Sequence, residues 1–159
     1  EQSNREGRMQ ISSKCYYALR SLFELAWHHG ETRPVRISYI SARQQIPRRF
    51  LEVILNELRQ GGFVESRRGV DGGYFLARKP SEITIGEIVR FVDGDIAPVS
   101  CVSSRETEKN CDLNFQCPFH SFWGRVLEAL TAVYDHTTLA DIADDWRSRT
   151  SEQALHYDI

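Results

Sequence analysis

Between Ser38 and Ala77 the chain sets two short helical patterns, a proline break, a glycine pair and a glycine-rich hairpin signal in immediate succession, and that order leaves few folds open. Ser38 reads as the N-cap of a short helix running to about Gln45, and Ile46-Pro47 breaks it. A second helix then runs from Arg48 to Gln60 until Gly61-Gly62 ends it. Leu51, Ile54, Leu55 and Leu58 form its buried stripe, while Arg49, Glu52, Asn56 and Arg59 lie on the opposite face. Two helices joined by a tight turn, the second with a polar, basic outer face, describe a helix-turn-helix. Residues 63–68 and 74–77 read as strands around Gly69-Val70-Asp71-Gly72-Gly73, a hairpin whose small tip is flanked by Arg67 and Arg68 and suits close approach to a phosphate backbone. Gly72-Gly73 alone would be an ordinary turn; the ordered set is more specific than any of its pieces.

The formal net charge is only -2, but it is segregated. Residues 33–79 hold ten Lys/Arg against four Asp/Glu, net +6, whereas residues 80–159 hold six against fourteen, net -8. A basic lobe that coincides with the helix-turn-helix is the footprint of a polyanion-binding surface, because neutralising phosphates releases condensed counterions. The 159 residues, 41% apolar and 26% charged, can bury a core and do not match disordered or collagenous chains. No apolar run is long enough to span a bilayer, so no membrane partner is expected. Residues 1–8 lack the apolar core of a signal peptide and read as a tag or flexible N-terminus; a cytoplasmic setting is expected. There is no acid/base pair, nucleophile motif or phosphate cradle with supporting context, so the chain is not expected to be an enzyme.

Outside the central segment, Leu19, Leu22, Phe23, Ala26 and Trp27 recur at helical spacing from Ser12 onward, and Gly30 stops that helix. Pro80-Ser81 breaks the chain, and Thr84 with Glu87 forms a capping box for a helix ending near Gly94. Phe119, Phe122, Trp123, Val126, Leu127, Leu130, Val133 and Tyr134 trace an apolar stripe too long for a helix with one solvated face, which predicts a dimer interface. A short helix from Leu139 to Trp146 follows Thr137-Thr138. The fold class is mainly α with a small β-hairpin wing. A winged helix-turn-helix spans 9–80, a connecting helix 81–96, a cysteine-rich loop 97–118, a dimerisation helix and C-terminal helix 119–146, and a flexible tail 147–159.

Cys101, Cys111 and Cys117 fall in that loop, followed by Pro118-Phe119-His120. In a cytoplasmic-type protein persistent disulfides are disfavoured, so metal or redox chemistry is the default. Soft thiolates suit iron–sulfur clusters or zinc. Zinc sites normally bring a close C-x-x-C pair, absent here, which puts zinc second. Unligated thiols are the plain alternative.

Met9-Gln10-Ile11-Ser12-Ser13-Lys14-Cys15-Tyr16-Tyr17-Ala18-Leu19, the run from Pro47 to Pro80 and the segment ITIGEIVRFVDG together resemble the Rrf-type family of bacterial winged-helix transcription regulators over residues 9–146. The G-x-x-G-G-Y-x-L wing, followed by Pro and Ile-Thr, is the most specific part. The resemblance implies a homodimer in which the helix at 119–134 crosses its partner, and hence a pseudo-palindromic operator in double-stranded DNA. It places base-reading positions on Arg49 and Glu52 and wing positions on Ser66 and Arg68. Their chemistry agrees: Arg can bond guanine bidentately, Glu can accept from cytosine N4, and a wing Arg can enter a narrow minor groove. Arg48, Arg67 and Tyr74 then read as backbone clamps. Through the IscR- and NsrR-like members, the resemblance further implies an iron–sulfur cluster on Cys101, Cys111 and Cys117, 2Fe-2S in preference to 4Fe-4S, with His120 as fourth ligand. The Cys101 to Cys111 gap is longer than in those members, and Cys15, beside a position from which some relatives donate a ligand across the dimer, is an alternative fourth ligand. The implied function is a regulator sensing redox, nitric oxide or iron–sulfur status. Its rivals are a cluster-free thiol or zinc sensor and an electron-transfer or cluster-carrier protein without DNA binding.

Overall fold

Ser12 opens the first helix as the sequence suggests, its hydroxyl accepting the Cys15 N–H at 3.0 Å, in a computed structural model that describes residues 11–103 and 116–156. Helix α1 (Ser13–Trp27) turns Cys15, Ala18, Leu22, Leu25 and Ala26 into the core. Leu19, Phe23 and Trp27, expected on the same face, lie half-buried along its flank, where Phe23 meets Trp146 edge-on. Glu24 is buried with them and accepts a hydrogen bond from the Gln44 amide, while Arg20 Nε donates to Gln44 Oε1 at 3.1 Å. These polar contacts tie α1 to the end of the next helix.

Helix α2 (Ile37–Gln44) starts one residue before the expected cap. Arg36 holds the extended cap position without a side-chain bond, and Ser38 lies inside the first turn. The reason is a strand-like contact invisible to local reading: Val35 and Tyr74 exchange both N–H···O=C bonds at 2.9 Å, so the chain stays extended to Arg36 and coils directly after it. Gln45 ends α2 in the left-handed region (φ 50°). The Ser41 hydroxyl donates to the Ile46 carbonyl at 2.7 Å while the Ser41 carbonyl accepts the Ile46 N–H at 3.1 Å, which locks the turn. Helix α3 (Arg48–Gln60) follows Pro47 and buries Leu51, Ile54, Leu55 and Leu58. Strands β1 (Val64–Arg67) and β2 (Gly73–Leu76) pair antiparallel, Val64 opposite Leu76 and Arg67 opposite Gly73.

A 3-10 turn (Pro80–Glu82) leads to α4 (Ile85–Val92), whose cap Thr84 accepts the Glu87 N–H at 3.1 Å. The Glu87 carboxylate does not complete the box; it pairs with Arg78 at 2.6 Å. A second 3-10 turn (Ser100–Val102) packs against α5 (His120–His136). No residue of α5 is buried, and Arg90 of α4 grips Asp135 bidentately at 2.6 and 3.0 Å. Helix α6 (Leu139–His156) is fixed at its start by the bridge between Thr84 and Thr138. A full capping box, Thr138 with Asp141, opens it. It continues well past Trp146 into residues expected to be a flexible tail. One-turn pairs Arg147–Asp144 and Arg149–Asp145, at 2.6 and 2.9 Å, and the Arg147 guanidinium 5.1 Å from the Trp27 ring centroid support this polar stretch, which has no apolar period to announce it. Among the described residues no helix is long and apolar enough to cross a membrane. Residues 1–8 lie outside the described residues.

A Cβ at Gly73 would sit 2.5 Å from the Val35 carbonyl oxygen, inside the bridge that sets both α2 and the wing. Gly73→Ala is therefore expected to destabilise the fold by about 1–3 kcal/mol, read as a lower urea midpoint at unchanged slope.

Candidate nucleic-acid interface and cysteine site

Because the apolar stripe of α3 points inward, its other face must point out, and Arg48, Arg49, Glu52, Asn56 and Arg59 are all exposed. Arg49 has no ion-pair or hydrogen-bond partner among the described residues. Glu52 sits one turn from Arg48, with Nε to Oε1 at 3.1 Å, a solvated pair that can exchange partners at little cost. Arg59 donates to Asn56 Oδ1 at 2.9 Å. Phe50 and Val53, which the sequence reading did not single out, are also exposed on this helix.

The wing carries Ser66, Arg67 and Arg68, all exposed, and the two arginines have no partner among the described residues. Its tip is closed by the Gly72 N–H donating to the Gly69 carbonyl at 3.0 Å, with Gly69 at φ 113°, a backbone state that side-chain-bearing residues rarely adopt. Arg36 reaches the tip from the α2 cap, with Nη2 3.7 Å from Asp71 and 3.4 Å from the Val70 carbonyl. Tyr74, the remaining expected clamp, is half-buried against the core, and its backbone bridges Val35.

The cysteine site is described only at its edges. Cys101 lies in the 3-10 turn packed on α5, and the Cys117 carbonyl accepts the N–H of His120, the first residue of α5, at 3.1 Å. Both cysteines are half-buried, as is His120. Cys111 lies outside the described residues, and among those described no three metal-ligating side chains gather. Two soft thiols and an imidazole bordering the segment that carries a third thiol form a donor set that fits an iron–sulfur cluster. Cys15 is fully buried, and burial, with the Asp93 carboxylate beside it, pushes its thiol up to about 12.

Residues 11–145 match the Rrf2 family, described as iron-dependent transcriptional regulators. The chain is 36% identical over 135 residues to the HTH-type transcriptional regulator CymR of Bacillus subtilis (strain 168), covering 85% of this chain and 90% of CymR. It is 32% identical over 137 residues to the HTH-type transcriptional regulator IscR of Klebsiella pneumoniae (strain 342), covering 86% and 81%. Among solved structures it is similar to CymR of B. subtilis, described as that organism's global cysteine regulator, with a TM-score of 0.70 at 36% identity over 85% of this chain and 96% of that one. T. potens IscR gives a TM-score of 0.68 at 34% identity over 86% and 87%.

The buried thiol carries a chemical prediction. In the folded, cluster-free protein at pH 8, iodoacetamide should alkylate the half-buried Cys101 and Cys117 and spare the buried Cys15, as read by peptide mass mapping. The fold holds the Cys15 proton that the unfolded chain releases near 9.0, so this contribution is intact below that pH and is lost as pH rises toward about 12. Urea midpoints should fall across that interval.

Proposed function

The chain belongs to the Rrf2 family of transcriptional regulators, and from that premise we propose that it binds a pseudo-palindromic operator as a homodimer, its affinity set by an iron–sulfur cluster on Cys101, Cys111, Cys117 and His120. It is a regulator with a winged helix-turn-helix and not an enzyme. The observation that supports the operator reading most is the exposure of Arg49 at the start of α3 together with Arg67 and Arg68 on the wing, three guanidiniums without an acidic partner among the described residues. Arg49 is suited to guanine O6 and N7, and Glu52, once exchanged from Arg48, to cytosine N4. Ser66 and Arg68 suit the minor groove, and Arg48 and Arg67 suit phosphates that fix register. The homodimer rests on α5, whose Phe122 and Val133 stand 49% and 65% exposed on the long apolar stripe.

The regulatory reading follows the contacts inward from the cysteines. Bound at these residues, a cluster supplies reversible redox and ligand-exchange chemistry. Cys101 rides on the turn packed against α5, and the Cys117 carbonyl accepts the N–H of His120 at the start of α5, so holding or releasing these side chains acts on that helix. Arg90 couples α5 to α4 through Asp135; the Asp93 carboxylate after α4 accepts from the Ser12 N–H at 2.8 Å and couples α4 to α1, which packs on α3. A shift in how two α5 helices meet would change the spacing of the two α3 helices, and a coupling of about 1–3 kcal/mol suffices to switch operator occupancy. A cluster-free thiol sensor is the second reading, favoured by the half-exposed Cys101 and Cys117 and by the likeness to the cysteine regulator of B. subtilis.

Arg49→Ala should cost about 1–3 kcal/mol on a selected operator and relax preference at one base pair, whereas Arg67→Ala should weaken all duplexes about equally, both by fluorescence anisotropy at fixed salt. Anaerobically purified protein should be coloured. Alanine at Cys101, Cys111 or Cys117 should each remove the visible spectrum, and His120→Cys should keep a cluster of lower reduction potential. A colourless protein whose operator affinity falls on thiol oxidation would assign the same loop to the second reading.

A further inference from the structure

Val53 is an apolar residue on the outward face of α3 that the fold does not explain. It is 56% exposed, and no described element covers it. At about 100° per residue it lies about 40° from Arg49 around the helix and about 150° from the middle of the buried stripe, so it projects with Arg49, Glu52 and Asn56 on the outward line. Phe50, 60% exposed, sits further round toward one flank. A β-branched residue gains nothing on an open helix surface, where alanine, lysine or glutamate would favour the helix more. One scattered apolar residue is ordinary. This one stands at the centre of the surface proposed to face base edges, flanked along the helix by Arg49 before it and Asn56 after it.

We infer that Val53 takes the C5-methyl group of a thymine in the major groove, making α3 a reader of T as well as of the guanine proposed for Arg49. The inference rests on the reading of α3 as the operator-facing helix. The chemistry is specific in both directions. Valine in a helix has one strongly preferred rotamer, so its methyl groups are presented without loss of rotamer freedom. Of the four bases only thymine offers an apolar group at the major-groove edge. Cytosine in the same place would present its N4 amino group to a side chain that cannot accept, leaving a buried donor unmet. Val53 therefore supplies selectivity between the pyrimidines that neither an arginine nor a phosphate contact provides.

The test uses the full-length protein and an operator selected from random duplexes. Each thymine is replaced in turn by deoxyuridine, which removes the methyl group alone. One position per half-site should lose about fourfold in affinity, the transfer value of one methyl group converted to a binding ratio. Val53→Ala should bind the thymine and deoxyuridine forms of that position equally, while Arg49→Ala keeps the fourfold ratio there and loses discrimination elsewhere. Insensitivity of the wild type to deoxyuridine at every position, or a full fourfold ratio retained by Val53→Ala, overturns the assignment of Val53 while Arg49 still reads its base. A wild type that selects no sequence overturns the operator reading itself and this inference with it.

Discussion

The inward packing of Leu51, Ile54, Leu55 and Leu58 is the constraint from which the proposed interface follows. Each fully buried aliphatic side chain contributes about 1.5–3 kcal/mol, so rotating α3 to hide its polar face instead would forfeit most of the helix's hold on α1. With that stripe fixed, helical geometry alone decides that Arg49, Glu52, Val53 and Asn56 look outward. The wing is fixed to the same frame by the Val35–Tyr74 bridge, which joins the linker before α2 to the second wing strand. Helix α3 and the wing are thus positioned by backbone pairing and apolar burial, and the guanidiniums of Arg49, Arg67 and Arg68 carry no ion pair among the described residues that contact with a polyanion would have to break.

A second set of contacts relates this frame to the cysteines. Individually the ion pairs are weak: Arg90–Asp135 is partly exposed, and such pairs contribute little to stability. Their value is positional. The guanidinium holds the Asp135 carboxyl below its ordinary range, and its two-pronged grip sets the angle of α5 on α4. Gly86 lies under this pair with no room for a side chain. Glu24, buried on α1, and its partner Gln44 do the same at the turn between α2 and α3, where a carboxyl group in the core is tolerated because it is hydrogen-bonded.

What could be read from the sequence divides along a physical line. The span of α3, its buried stripe, the Thr84 cap and the hairpin were legible because local periodicity and turn chemistry determine them. Ser38 was misread as a cap because the deciding contact, Val35 with Tyr74, joins residues far apart in the chain. The length of α6 was invisible for another reason: beyond Trp146 the helix rests on one-turn charge pairs and on Trp27, and neither produces an apolar period. In the candidate site the exposed arginines are legible from charge and order, while Val53 is not, because an apolar side chain carries no charge to mark it as part of an outward face.

Everything about operator symmetry turns on α5, a helix with no buried residue and a long apolar stripe. A surface of that kind, continuous from Phe122 to Val133, is covered in this account by the same helix of a second copy. Sedimentation equilibrium of the wild type and of Val133→Asp, alone and with a selected operator, tests this most directly, since Val133 is 65% exposed and its replacement leaves the core of one chain intact. The wild type should sediment as two copies, free and on DNA, and the variant as a folded single chain that has lost specific binding. A single-chain variant that binds the operator with wild-type affinity would contradict this.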